Sequence, residues 1–162
     1  FPEGAKIAYI NIQRIANESG EGKAATAKVQ ALNQKKVQEL NEKNKALQAD
    51  QQKLQSSLTI MSDTARAELE KKIERQNVDI QRATQDAQQE VQELQQDLQS
   101  EFQRKLMPIV QQVAQEKGLH LLFSAADSGI VWADPGLDIT ADVIKRFDAG
   151  TATTAAPKPP QR

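Results

Sequence analysis

The chain has 162 residues and a mass of 17.9 kDa, with 38% hydrophobic and 4% aromatic residues, a mean hydropathy of -0.64 and a formal net charge of -1. So little apolar mass argues against a compact globule of this length. The near balance of charge argues against disorder driven by repulsion, and against a general nucleic-acid binder, which should be basic. There is no cysteine, which excludes disulfides, thiol chemistry and Cys-ligated metals and is compatible with an oxidising compartment.

In chain order, residues 6–12, KIAYINI, form the first expected strand. Ala8, Ile10 and Ile12 fall on one face and Ile7 and Tyr9 on the other. Apolar residues on both faces predict a strand covered on both sides. A short helical turn over residues 13–18 follows, broken by SGEG at 19–22. Residues 23–61 contain neither Pro nor Gly, and Leu40, Leu47 and Leu54 repeat at seven, with Val37, Leu58 and Met61 filling steps of three and four. That narrow seam is a coiled-coil pattern, and at 1.5 Å per residue the helix would be roughly 58 Å long. Ser62 or Asp63 offers a helix cap, placing a hairpin tip at about 59–64. A second helix then carries its own seam through Leu69, Ile73, Ile80, Ala83, Ala87, Val91, Leu94, Leu98 and Phe102. The alternative is a single uninterrupted rod.

Pro108 cannot donate to a helical ladder, so a kink is expected there, leading into a separate base helix that stops at Gly118. Strands are expected at about 119–125 and 130–133, joined by a turn at 127–129. Asp134-Pro135-Gly136 is a further turn. Thr140 is the expected cap of a last helix, about 141–149, and the Thr/Ala/Pro tail 151–162 reads as disordered. The fold class is α+β, mostly α. Residues 1–22 and 108–150 would form a small β-sheet body, and 23–107 a long antiparallel coiled-coil hairpin arm. Three short strands are a marginal core for one chain. Burying each large apolar side chain is worth about 1.5 to 3 kcal/mol, so pooling the bodies of several chains is the expected way to gain it. The chain starts at Phe1 rather than Met, which fits a processed or trimmed form, a removed secretory signal being one origin.

KIAYINIQRIANESGEGKAA, followed after the coiled coil by GLHLLFSAADSGIVWADPGLDITADVIKRFD, resembles the Skp/OmpH family of periplasmic chaperones over about residues 6–148. The strand, turn, WADP and DIT pattern of the second block is the more specific part. The resemblance implies a homotrimer whose β-body is built from all three chains, with helical-hairpin arms around a cavity. Unfolded outer-membrane β-barrel proteins would be held in that cavity, in the periplasm, without ATP or any cofactor. The oligomer body would then comprise Ile10, Ile12, Leu121, Phe123, Ile130 and Trp132, and Leu54, Leu58 and Met61 near the tip are the client-contact candidates. One departure stands out. The first arm helix carries seven Lys against Glu39, Glu42 and Asp50, and residues 62–117 carry eight basic against eleven acidic residues. An arm so nearly neutral implies no strong membrane or lipopolysaccharide binding. The alternative function is a structural or adaptor coiled coil docking one defined partner.

His120, Ser124 and Asp127 match a catalytic triad in residue type only, and a structural histidine is the expected reading. One histidine and scattered carboxylates offer no metal cluster. SGEG lacks the spacing of a phosphate-binding loop. No enzymatic activity is expected.

Overall fold

The structure, a computed structural model, describes residues 4–57 and 59–154. The element order is β1 (Ile7–Ile10), α1 (Ile12–Glu18), α2 (Gly20–Ser56), α3 (Asp63–Glu116), β2 (Leu121–Ser124), a 3-10 turn (Pro135–Leu137) and α4 (Thr140–Thr154). The fold is α+β and mostly helical, with one two-stranded sheet. Two compact units emerge: Phe1–Ala27 with Asp97–Arg162, and Lys28–Gln96.

The first unit holds the sheet and the main core. β1 and β2 pair in parallel, Ile7 opposite Leu121 and Tyr9 opposite Phe123. Side chains alternate across a strand, so Ala8 and Ile10 point into the core while Ile7, Leu121 and Phe123 stay exposed. The core gathers Ile15 from α1, Phe102, Leu106, Val110 and Val113 from α3, and Ile139, Val143 and Phe147 from the C-terminal region. Phe102 meets Phe147 edge-on, with ring centroids 5.5 Å apart.

Three sequence expectations change here. Residues 130–133 form no strand. A strand has two edges, and those of β1 are both taken: one by β2, the other by the Asp138–Ile139 stretch, where Ile139 N–H donates to Tyr9 O at 3.1 Å. β1 is covered on one face only, and Ile12 opens α1 instead of extending the strand. There is also no separate base helix. α3 runs through Pro108, with Leu106 and Val110 both buried beside it. Packing on both sides of the proline offsets its missing N–H.

SGEG marks the α1–α2 junction, and chemistry explains Ser19, Gly20 and Gly22. Ser19 ends α1 by donating its N–H to Ile15 O, and its hydroxyl accepts the Gly22 N–H at 3.2 Å. Asp148 of α4 accepts the Gly20 N–H at 2.8 Å, placing a carboxylate at the positive end of α2. A Cβ on Gly22 would lie 1.7 Å from Ala16 O, so no other residue fits. Thr140 is not the cap of α4. Asp138 takes that part, accepting the Thr140 N–H at 2.9 Å and its hydroxyl, while Thr140 Oγ1 accepts the Asn11 N–H at 2.9 Å. The DIT triplet thereby ties the start of α4 to the end of β1. α4 itself continues past Gly150 to Thr154, into the tail expected to be disordered; residues 155–162 lie outside the described ones.

Candidate functional site

In the second unit, α2 and α3 lie antiparallel: Lys36 pairs with Glu90 at 2.6 Å, and Asp50 with Lys72 at 2.8 Å. The seam is thin. Leu47, Leu69 and Ala87 are its buried residues, while Leu40, Leu54, Ile73, Ile80, Val91 and Leu94 are only half-buried. Two helices alone cannot enclose a seam from all sides, so its margins stay wet.

Val37 does not fill the seam as the spacing predicts. It is 56% exposed, and Lys36 takes the inward position with its side chain 18% exposed. Asp50, at 15%, and Gln76 interrupt the seam in the same way. Lys36 to Asp50 and Gln76 to Glu90 each span two heptads, so one antiparallel register satisfies both clusters. Asp50 Oδ2 accepts from Lys72 Nζ and from Gln76 Nε2, each at 2.8 Å. Lys72 first, then Gln76, hold the Asp50 carboxyl below the usual carboxylate range, against the opposing effect of burial. The hydrogen bond to Glu90 chiefly raises the Lys36 ammonium pKa. Gln76 Oε1 is buried without a partner among the described residues. Seven-residue steps in the apolar pattern, from Leu47 to Leu54 and from Ile73 to Ile80, are the sequence signal for these polar insertions. Hydrophobic periodicity read alone passes over them.

Beside Lys36 the two helices enclose an open groove of about 550 Å³. Its apolar lining is Val37 and Leu40 from α2 and Ala87 and Val91 from α3. Small Ala87, opposite leucine-sized neighbours, leaves the gap unfilled.

The expected body residues divide. Leu121 and Phe123 share one exposed sheet face with Ile7, at 48%, 37% and 40% exposure. Trp132 is 81% exposed, and Ile130, on the same segment, is half-buried. Ile10 is buried in the chain's own core and Ile12 packs against it, so both support the single chain and neither is on an exposed face. Of the tip candidates, Leu54 and Met61 are half-buried and Leu58 lies outside the described residues. Ile60, which spacing did not single out, is the most exposed apolar side chain at the tip among the described residues, at 85%.

No triad forms. His120 Nδ1 accepts the backbone N–H of Lys6 at 3.0 Å, while Ser124 Oγ donates to Asp127 in a local turn. Among the described residues no group of three or more His, Cys, Asp or Glu could hold a metal ion, and no helix is long and apolar enough to cross a membrane.

The chain is 27% identical over 144 residues to the chaperone protein Skp of Yersinia enterocolitica, covering 89% of this chain and 87% of that one. Its structure is similar to the crystal structure of a putative outer membrane chaperone (OmpH-like) from Caulobacter crescentus CB15, with a TM-score of 0.84 at 25% identity, covering 93% and 88% of the two chains. Residues 6–147 match the family model described as outer membrane protein (OmpH-like), and with a matching fold across both units the chain belongs to the Skp/OmpH-like family of outer-membrane chaperones.

Proposed function

We propose that the chain is an ATP-independent holdase that binds unfolded outer-membrane β-barrel proteins in the periplasm and keeps them from aggregating. It works as a homotrimer. The observation that carries this reading is where a chain of this family keeps its exposed apolar side chains. One group, Ile7, Leu121, Phe123, Val131 and Trp132, lies in the unit that holds the sheet. The other, Val37, Ile60 and Val78, lies on the hairpin.

The first group supports assembly. The outer edge of β2 carries no strand among the described residues, and open edges next to apolar faces invite pairing with another chain. Residues 130–133, IVWA, have the β-branched and aromatic character of a strand and no partner of their own. Joining the β2 edge of one chain to that segment of the next would cover both.

The second group supports holding. An unfolded barrel strand presents alternating apolar side chains and unpaired backbone groups. Scattered Val, Leu, Ile and Met among long polar side chains make many weak contacts with no fixed register, and several such hairpins around one client add up by multivalency. Nothing in this needs a nucleotide, a metal or a covalent step.

Native mass spectrometry of the chain, alone and mixed with a urea-unfolded barrel protein, tests both halves. A species of three times 17.9 kDa that takes up one barrel is expected. A trimer that ignores the barrel would move the function to a dedicated partner, and a monomer would remove the assembly argument. Trp132→Ala and Phe123→Asp remove exposed side chains, so each should lower the oligomer mass while leaving the helical content intact. An unchanged mass at low concentration would displace the interface from this face.

A further inference from the structure

We propose that the groove beside Lys36 is a discrete subsite for a short, uncharged, extended peptide segment. The inference rests on the holdase reading and assigns it a location. The apolar floor of Val37, Leu40, Ala87 and Val91 is bordered by the amide side chains of Asn33, Gln88, Gln92 and Gln95. None of these four amides is engaged by another group of the chain among the described residues. Each therefore has a donor and an acceptor to offer a peptide group, which has the same two.

Charge selects the occupant. Lys36 is the one charged residue in the lining; it pairs with Glu90 at 2.6 Å and with Glu39 at 3.7 Å, and Glu39 in turn pairs with Lys35 at 3.9 Å, so the local charges balance. A charged segment would lose hydration here and find no counter-charge. An uncharged strand loses little and gains partners for its backbone. Size sets the footprint: Asn33 to Leu40 covers about 10 Å of helix, the length of about three extended residues. Three such residues turn one or two alternate apolar side chains to the floor and their peptide groups to the amides. That is the pattern of a half-apolar β-strand.

The absence of cysteine makes a photo-crosslinker at Gln85→Cys unique in the full chain. Gln85 is exposed, lies one turn before Gln88 and is not part of the lining, and Lys45→Cys, outside the groove, is the comparison site. The probe is an end-capped octapeptide alternating valine with threonine. Labelling at position 85 should exceed that at 45 by about tenfold, the worth of burying one valine-sized side chain. Val37→Asp, at an exposed position that the fold tolerates, should abolish the excess. Equal labelling at the two positions overturns the subsite. So does equal labelling by a peptide with glutamate in place of threonine, or crosslinking of position 85 to a second copy of the chain that excludes the peptide. Suppression of barrel aggregation by the unmodified chain reads the holdase function separately. A chain that holds barrels without selective labelling loses only the subsite, and one that labels selectively without holding barrels loses only the holdase reading.

Discussion

The two units solve the problem of burial in opposite ways. In the unit with the sheet, segments far apart in sequence meet, and Phe147, Val143, Ile15 and Leu106 are almost wholly enclosed. In the hairpin unit, Leu47, Leu69 and Ala87 are the buried apolar residues, each at 7–9% exposure, and charged groups occupy positions that leucine would take in a tighter coiled coil. A core closed on all sides gains from shape and volume. A two-helix seam gains little from either, so its register is secured by polar pairs, which tolerate only one alignment. The thin seam also leaves apolar side chains uncovered along the hairpin, the feature on which the proposed holdase reading rests.

That contrast can be broken by experiment. Phe147→Ala empties the closed core and should cost about 3–5 kcal/mol, read from the urea midpoint. Gly22→Ala should cost about 3 kcal/mol, at the upper end for overpacking, because the new methyl group meets a backbone oxygen in place of a flexible side chain. Leu47→Ala should cost about 2 kcal/mol, the low end for leucine, since solvent already borders its cavity. If Leu47→Ala cost as much as Phe147→Ala, the hairpin would be packed like a closed core and the comparison would fail.

The smallest effect is the most diagnostic of the polar seam. The folded-state pKa of Asp50 lies below its unfolded value of about 3.9. Its contribution to stability is therefore present above that value and is lost as pH falls through the lower folded value. Lys72, Gln76 and, at longer range, Lys53 are the groups that favour its charged form. The stability difference between the native chain and Asp50→Asn should accordingly shrink below pH of about 4. A difference that persisted unchanged into acid would mean that the carboxylate charge has no part in setting the register.

How much was legible varies with the range of the interactions. The long helices follow from local pattern: heptad leucines, absent Pro and Gly between 23 and 61, and the Ser-Asp punctuation before α3. The first strand and the first half of the second block were equally readable, because β-branched and aromatic runs declare themselves. Residues 130–133 have the same character and yet form no strand: both edges of β1 are taken, and the segment does not pair with the edge of β2 that stays open. Val37 and Lys36 exchanged their expected places, because adjacent residues differ by 100° of helix and only the partner helix decides which side is inward. Ile10 looked like interface for a similar reason. Its apolar character is visible in the sequence, but whether its own chain or another covers it is a matter of packing.

The sequence by itself determined that this protein would be mostly helical, with a long interrupted coiled-coil pattern between two halves of a small sheet, and the motifs in its second block identified its family. Local periodicity and turn chemistry act over a few residues, so they survive in a one-dimensional reading. Only the tertiary structure decided which apolar residues are left over. It placed Asp138 and Thr140 beside Asn11, left Trp132 and Phe123 exposed, and opened a neutral groove at Ala87. Each of these depends on which edges and faces are already taken, and that is known only once every segment has found its neighbour.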